Sequence, residues 1–215
     1  MMIGPEYYYD KYLKGKSAKE IMSAIRSLKR EINRLKNIAE HPEYLCTVHP
    51  SEEVRILCNK DYLERAKRAL IDAGGEYIPT GAELKAAEVR DNMAYACRVE
   101  FSIGGESEGF ETGIYTFDGD LLKVEIEDSL GIEPSHITMP EDEVEKADFI
   151  DGLTSLDLGE WRRRYDTERF GYSLVDGIAW ELSVYFSNGY KPLKICGINA
   201  YPYNFGKLMN ILNVE

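Results

Sequence analysis

The chain has 215 residues, 44% of them hydrophobic and 30% charged, enough apolar material for one large domain or two small ones with a real core. A net charge of −12 argues against general nucleic-acid binding, and the absence of any run of about 18 apolar residues argues against a transmembrane helix. The first fifteen residues hold no apolar signal-peptide core and no glycine directly after the first methionine, so a cytoplasmic location is expected, with Cys46, Cys58, Cys97 and Cys196 as free thiols.

The charge is unevenly spread. From Lys11 to Lys36, nine Lys or Arg stand against Glu20 and Glu31, a local +7. From Glu100 to Asp151, sixteen Asp or Glu stand against Lys123 and Lys146, a local −14. The basic end suits a phosphate backbone or an acidic body, including that of another copy. The fifteen tyrosines, large rings with a polar end, suit half-buried sheet positions and interfaces.

In chain order, the first readable element is a helix over residues 18–40. Ser17 to Glu20 forms a capping box, and Pro42 stops the helix. Ile21, Ile25, Leu28, Ile32, Leu35 and Ala39 recur at heptad spacing, with Ile25 and Ile32 at a, and Leu28 and Leu35 at d. That distribution favours a two-stranded parallel coiled coil, so a homodimer through residues 21–39 is one expectation. The other is a helix that lays the same stripe on its own domain.

A second helix is expected over Asp61–Ala73, capped by Asn59 or Asp61 and ended by Gly74-Gly75. Upstream, "EVRILC" fits a strand or a helical turn. "YIPTGAELK" reads as the connection between a helical region, residues 1–78, and a second region, residues 79–215.

From residue 94 the period becomes two. Tyr95, Cys97, Val99, Phe101 and Ile103 share one face of a strand. "FETGIYTF" and "LLKVEIE" complete an antiparallel meander about a "DGD" turn. "TMPE", Thr138 to Glu141, has the pattern of a helix start, giving a helix over about 141–156.

A hairpin follows. Centring its turn on Asn188-Gly189 puts Val184 opposite Leu193, Leu182 opposite Ile195 and Trp180 opposite Gly197. Pro192 then sits opposite Tyr185, and a four-residue loop, Ser187 to Tyr190, makes that a non-hydrogen-bonded pair, so this longer loop or an edge position for the strand is expected over a two-residue turn. The stretch "GINAYPYNF", Gly197 to Phe205, then joins the strand to a helix over 203–213. Gly197 leaves room for the Trp180 ring, Asn199 suits an Asx turn and Pro202 suits a first helical position. Every unusual residue type there has a structural role at a corner.

Few constellations carry chemistry. Cys46, His49 and Cys58 have loose metal-ligand spacing, with His41, Cys97 or Cys196 as a fourth partner, but nothing in the spacing demands zinc. No nucleophile motif or phosphate loop is present, so no catalytic, cofactor or metal residue is assigned. Arg162, Arg163 and Arg164 suit a phosphate or carboxylate, though a solvated helix end or loop accounts for them. They define, with Trp180 and Tyr201, the place where a small-molecule enzyme would keep its pocket.

"IRSLKREINRLKNIAEHPEY", "DYLERAKRALIDAGGEYIPT", "GEWRRRY", "FGYSLVDGIAWELSVYFSNG" and "GINAYPYNFGKL" together resemble a family of hypothetical proteins from anaerobic Gram-positive bacteria, over nearly the whole chain. The resemblance implies a bacterial, cytoplasmic origin with mobile-element ties. It brings no activity, ligand or site residue.

The expected architecture is α+β: an N-terminal helical region, then an antiparallel sheet over residues 94–198 covered by helices. The expected function is that of a non-catalytic interaction or adaptor protein acting through protein–protein contacts. Its candidate residues are Ile25, Leu28, Ile32, Leu35, Glu106, Glu108, Glu111, Arg162, Arg163, Arg164 and Tyr201. The alternative is an acidic mimic of nucleic acid that blocks a bacterial nucleic-acid-acting complex, using Glu106, Glu108, Glu111, Asp118 and Asp120.

Overall fold

A computed structural model describes residues 3–46, 48–105, 109–130, 136–171 and 177–214. The fold is α+β, and the N-terminal helices precede a six-stranded, mostly antiparallel sheet. The chain divides into two compact units, Met1–Pro79 and Thr80–Glu215. No helix among the described residues is long and apolar enough to cross a membrane.

The first unit is a helical hairpin with an N-terminal clip. The clip, unread in the sequence, is helix α1 (Pro5–Tyr8) running into a π-helical turn over Tyr9–Leu13. It is held down by the Tyr62 hydroxyl, which donates to the Ile3 carbonyl at 2.6 Å, and by the Tyr8 ring stacked on Tyr62.

Helix α2 (Ala18–Ala39) opens on the expected capping box. The Ser17 hydroxyl accepts from Glu20 N–H, and the Glu20 carboxylate accepts from Ser17 N–H at 2.9 Å. These Ser17 donors, helped by Lys16, hold the Glu20 carboxyl down at about 2.

Helix α3 (Glu52–Asp72) begins directly after Ser51, not near Asp61, and "EVRILC" lies in its first part. The Ser51 hydroxyl accepts from Val54 N–H, so Ser51 takes the capping role expected of Asn59 or Asp61. The helix ends as expected. Gly74, at φ +75°, takes the left-handed position, and Gly75 N–H donates to the Leu70 carbonyl in a Schellman motif.

The heptad stripe has its partner inside the chain. Ile21, Ile25, Leu28, Ile32 and Leu35 are all buried, packed in the α2–α3 hairpin with Ile56, Leu63, Ala66 and Leu70. The seam expected to join two copies is thus already covered, and the homodimer through residues 21–39 is set aside. A heptad stripe states what a helix buries, not whose surface it buries against.

The second unit opens with a helix where a connection was expected. Helix α4 (Gly81–Asn92) starts on a full capping box between Thr80 and Glu83. It seats on the short turn Leu158–Glu160, where a Cβ at Gly159 would lie 2.7 Å from the Ala86 backbone.

Strands β1 (Ala96–Gly105), β2 (Gly109–Asp118) and β3 (Leu121–Asp128) form the expected meander. Val99, Phe101 and Ile103 face the core, but Tyr95 and Cys97 are exposed and Ala96 is buried in their stead. A bulge between Ala96 and Arg98 reverses the alternation at the start of the strand.

Helix α5 (Lys146–Ser155) starts later than the "TMPE" pattern predicts. The backbone of 138–145 is committed elsewhere: Thr138 N–H donates to Asn213 O, and Val144 O accepts from Leu122 N–H. The Asn213 amide also bonds Thr138 and Met139. Long-range partners thus override a local helix signal.

Strand β4 (Arg164–Tyr165) precedes the hairpin of β5 (Ala179–Phe186) and β6 (Leu193–Ile198). The hairpin has the expected register, Val184 opposite Leu193, Leu182 opposite Ile195 and Trp180 opposite Gly197. Pro192 does not pair with Tyr185: β5 ends at Phe186 and β6 begins at Leu193, so the connection runs over 187–192, two residues longer than the expected Ser187–Tyr190 loop, and the proline stays out of the ladder. Helix α6 (Phe205–Leu212) ends the unit; it starts three residues after Pro202, not on it.

The strand order is β3-β2-β1-β5-β6-β4, with β4 parallel to β6 and all other neighbours antiparallel. One face of the sheet buries Phe101, Tyr115, Leu182 and Ile195 in a core shared with Leu153, Leu156, Leu208 and Leu212. The Tyr115 hydroxyl donates to Leu212 O at 2.6 Å, and burial pushes its pKa up. The opposite face is polar: Tyr185 donates to Glu100 at 2.9 Å and Thr112 to Ser102 at 3.0 Å.

Candidate functional site

The corner Gly197–Phe205 is built from the end of β6 and the start of α6. Asn199 sits at φ +49°, and its side-chain oxygen accepts from Ile178 N–H at 3.0 Å while its own N–H donates to Ile178 O. The expected Asx turn is therefore a clasp across the open end of the hairpin. Gly197 faces the Trp180 ring; a Cβ there would fall 2.5 Å from the indole nitrogen. That nitrogen donates to Ala200 O at 3.0 Å.

Aromatic rings fill the space around Trp180. Phe205 lies 4.8 Å from it, Tyr165 5.9 Å, and Trp161 and Tyr201 6.5 Å each. Trp161, Tyr165 and Trp180 are buried, and burial raises the pKa of the half-buried Tyr201. Tyr201 thus serves the core more than a surface.

Arg162, Arg163 and Arg164 are exposed but do not converge. Arg162 N–H donates to the Tyr165 hydroxyl, the Arg163 guanidinium lies 3.5 Å from Lys194 O, and Arg164 pairs with Asp166 at 3.1 Å. Arg162 and Arg163 lie in an exposed loop, as expected, and Arg164 opens β4 at the edge of the sheet, so the three do not make one grip for an anion.

The acidic stretch is reorganised by the fold. Glu106 and Glu108 lie outside the described residues. Glu111 is not a surface charge: it is buried, and its carboxylate accepts from the N–H groups of His136 and Ile137 at 2.9 and 3.0 Å. It pins the chain entering Ile137 and is withdrawn from the interaction set. In its place the fold gathers other carboxylates. Lys146 N–H donates to Asp120 O and Leu122 N–H to Val144 O, bringing the β2–β3 turn beside the segment before α5. Exposed Asp118, Asp120, Glu143 and Glu145 belong to these two neighbouring stretches, and exposed Asp148 to the first turn of α5.

The helical hairpin presents surfaces beyond its buried stripe. Outward on α3, Val54 and Leu57 are 43% and 42% exposed, and in the preceding connection Leu45 and Val48 are 79% and 45% exposed. The apolar "EVRILC" run was the available signal, since an α3 that starts at Glu52 has apolar residues on both faces. Outward on α2, opposite the buried stripe, lie Lys19, Ser23, Arg26, Arg30, Asn33 and Asn37, all exposed. Their 4, 3, 4, 3, 4 spacing mirrors the heptad and was legible in the sequence.

Cys46, Cys97 and Cys196 are exposed and Cys58 is half-buried. No group of three or more His, Cys, Asp or Glu among the described residues is placed to hold a metal ion. Comparisons with protein-family models, curated proteins and solved structures return no match.

Proposed function

We propose that the protein is an interaction or adaptor protein that acts by docking a protein partner on its helical hairpin. The observation that supports this reading is the exposed apolar group at the start of α3, Leu45, Val48, Val54 and Leu57. Single exposed apolar residues such as Ile71 or Ile78 are ordinary, but four between residues 45 and 57 supply the apolar centre that a protein interface needs. Asp61, Glu64 and Arg68 continue the same outward face and supply its polar rim.

The test is quantitative capture from a lysate of the source organism, comparing the wild-type chain with V54S/L57S. Both side chains are already exposed, so the variant keeps its fold and its helix content by circular dichroism. Partners recovered by the wild type and lost by the variant are the expected result. An identical set of proteins from both, or none from either, sinks the reading.

A second reading rests on the acidic edge formed by Asp118, Asp120, Glu143, Glu145 and Asp148. Such an edge suits the basic channel of a nucleic-acid-acting complex, which it would occupy as a mimic of the phosphate backbone. Wild-type protein would then capture a partner that duplex DNA displaces, and D118N/D120N/E143Q/E145Q would capture none. Capture by that variant at wild-type strength removes the mimic.

A further inference from the structure

The outward face of α2 is a row of hydrogen-bond donors free of carboxylates. Lys19, Ser23, Arg26, Arg30, Asn33 and Asn37 follow one another along it and are all exposed. At a rise of about 1.5 Å per residue the row is about 27 Å long. Lys19, Arg26 and Arg30 make no hydrogen bond, ion pair or ring contact among the described residues.

The two carboxylates within α2 are engaged elsewhere. Glu20 is held by Ser17 and Lys16, and Glu31 by Arg34 at 2.7 Å and Arg55 at 3.3 Å. The cations of the row are therefore not neutralised from their own helix.

From these observations we propose that α2 is a docking face for duplex DNA, its outward row lying along the major groove. Charge complementarity selects an anionic partner. The composition of the row then selects nucleic acid over an acidic protein. A stable protein interface needs an apolar or aromatic anchor at its centre, and none of these six residues supplies one. A lipid surface is disfavoured on the same ground, because the apolar side of α2 is buried in the hairpin. Phosphates are contacted by Lys, Arg, Ser and Asn side chains, which are the residue types in the row. Lys19, Arg26 and Arg30 suit phosphates, and Asn33 and Asn37 match adenine edges. The major groove of B-DNA, about 12 Å wide, admits a helix, whereas that of duplex RNA does not admit side chains. The proposal uses a different surface from the apolar group on α3 and does not depend on it. The net charge of −12 resides in the second unit: with 14 Lys or Arg against 12 Asp or Glu, residues 1–79 carry +2.

The experiment is fluorescence anisotropy of a labelled 20-base-pair DNA titrated with the full chain at 50 and 200 mM salt. Three neutralised phosphates give a log–log salt slope of about −2.7, so binding is expected to weaken about forty-fold across that range. K19A/R26A/R30A changes only exposed side chains, and circular dichroism verifies its helices. It is expected to lose at least ten-fold in affinity at 50 mM and most of the salt slope. N33A/N37A is expected to keep the slope and lose preference between DNA sequences. No binding at 50 mM overturns the proposal, as does unchanged affinity in the triple variant. Equal binding of duplex RNA overturns the groove placement. Salt-sensitive self-association that the triple variant abolishes, without DNA binding, assigns the row to a second copy instead.

Discussion

The two units bury their cores by different logics. In the helical hairpin, one stripe of α2 meets one face of α3, and each contact depends on spacing along a single helix. In the sheet unit, the contacts that matter pair residues far apart in the chain, such as Trp180 with Gly197 or Tyr115 with Leu212. A helix stripe can therefore be read without knowing its partner, whereas a strand pair carries its partner with it. That is why the stripe left a homodimer open until the fold closed it, while the β5–β6 register could be deduced outright.

The sharpest way to break the comparison is to remove a long-range anchor. Trp180→Ala deletes a fully enclosed ring and its bond to Ala200, and is expected to destabilise the sheet unit by about 3–5 kcal/mol. Urea unfolding followed by near-ultraviolet circular dichroism reads the loss.

The matching change in the hairpin is Leu35→Ala, expected to cost about 2–5 kcal/mol at a fully buried position. Because the stripe is satisfied within one chain, its melting temperature is expected to be the same at micromolar and at hundredfold higher concentration. A melting temperature that rises with concentration would return the stripe to a dimer.

Gly197→Val puts a side chain against the Trp180 ring and the Ala200 carbonyl, and is expected to cost about 1–3 kcal/mol. An unchanged midpoint would mean that the ring has room to move.

The smallest effects lie at the α2 cap. Ser17→Ala is expected to cost about 1 kcal/mol. The Glu20 carboxyl is depressed from 4.5 to about 2, so its contribution is present above pH 4.5 and is lost as pH falls toward 2. Glu20→Gln should therefore flatten the acid limb of the stability curve and leave neutral behaviour nearly as it was.

What the sequence shows, and what it hides, follows the same division. Ser17–Glu20, the α2 stripe and the Gly74-Gly75 stop are local signals, and all three stand. Thr80 to Glu83 has the same capping pattern but opens a helix with one buried residue, Val89, so no apolar period drew attention to it. Thr138 to Glu141 has the pattern without the helix, because Asn213 and Leu122 claim its neighbourhood through long-range bonds. Cys97 misleads because a bulge has no signature in an alternating run. Of the candidate site, charge signs were legible. Which carboxylates reach the surface was not: burial of Glu111 depends on a loop 25 residues away.

Strand β4 is only two residues long, yet it changes what the sheet can become. An uncapped β6 would offer its ladder to any passing extended chain and invite stacking into polymers. Cys196 N–H is instead taken by Arg163 O, and the guanidinium of Arg163 reaches the carbonyl of Lys194. At the other margin, Lys123, Glu125 and Glu127 stud the outer strand with a charge at every second position. The sheet is thereby guarded at both rims, and the arginine run, whatever else it touches, keeps the molecule from templating its own aggregation.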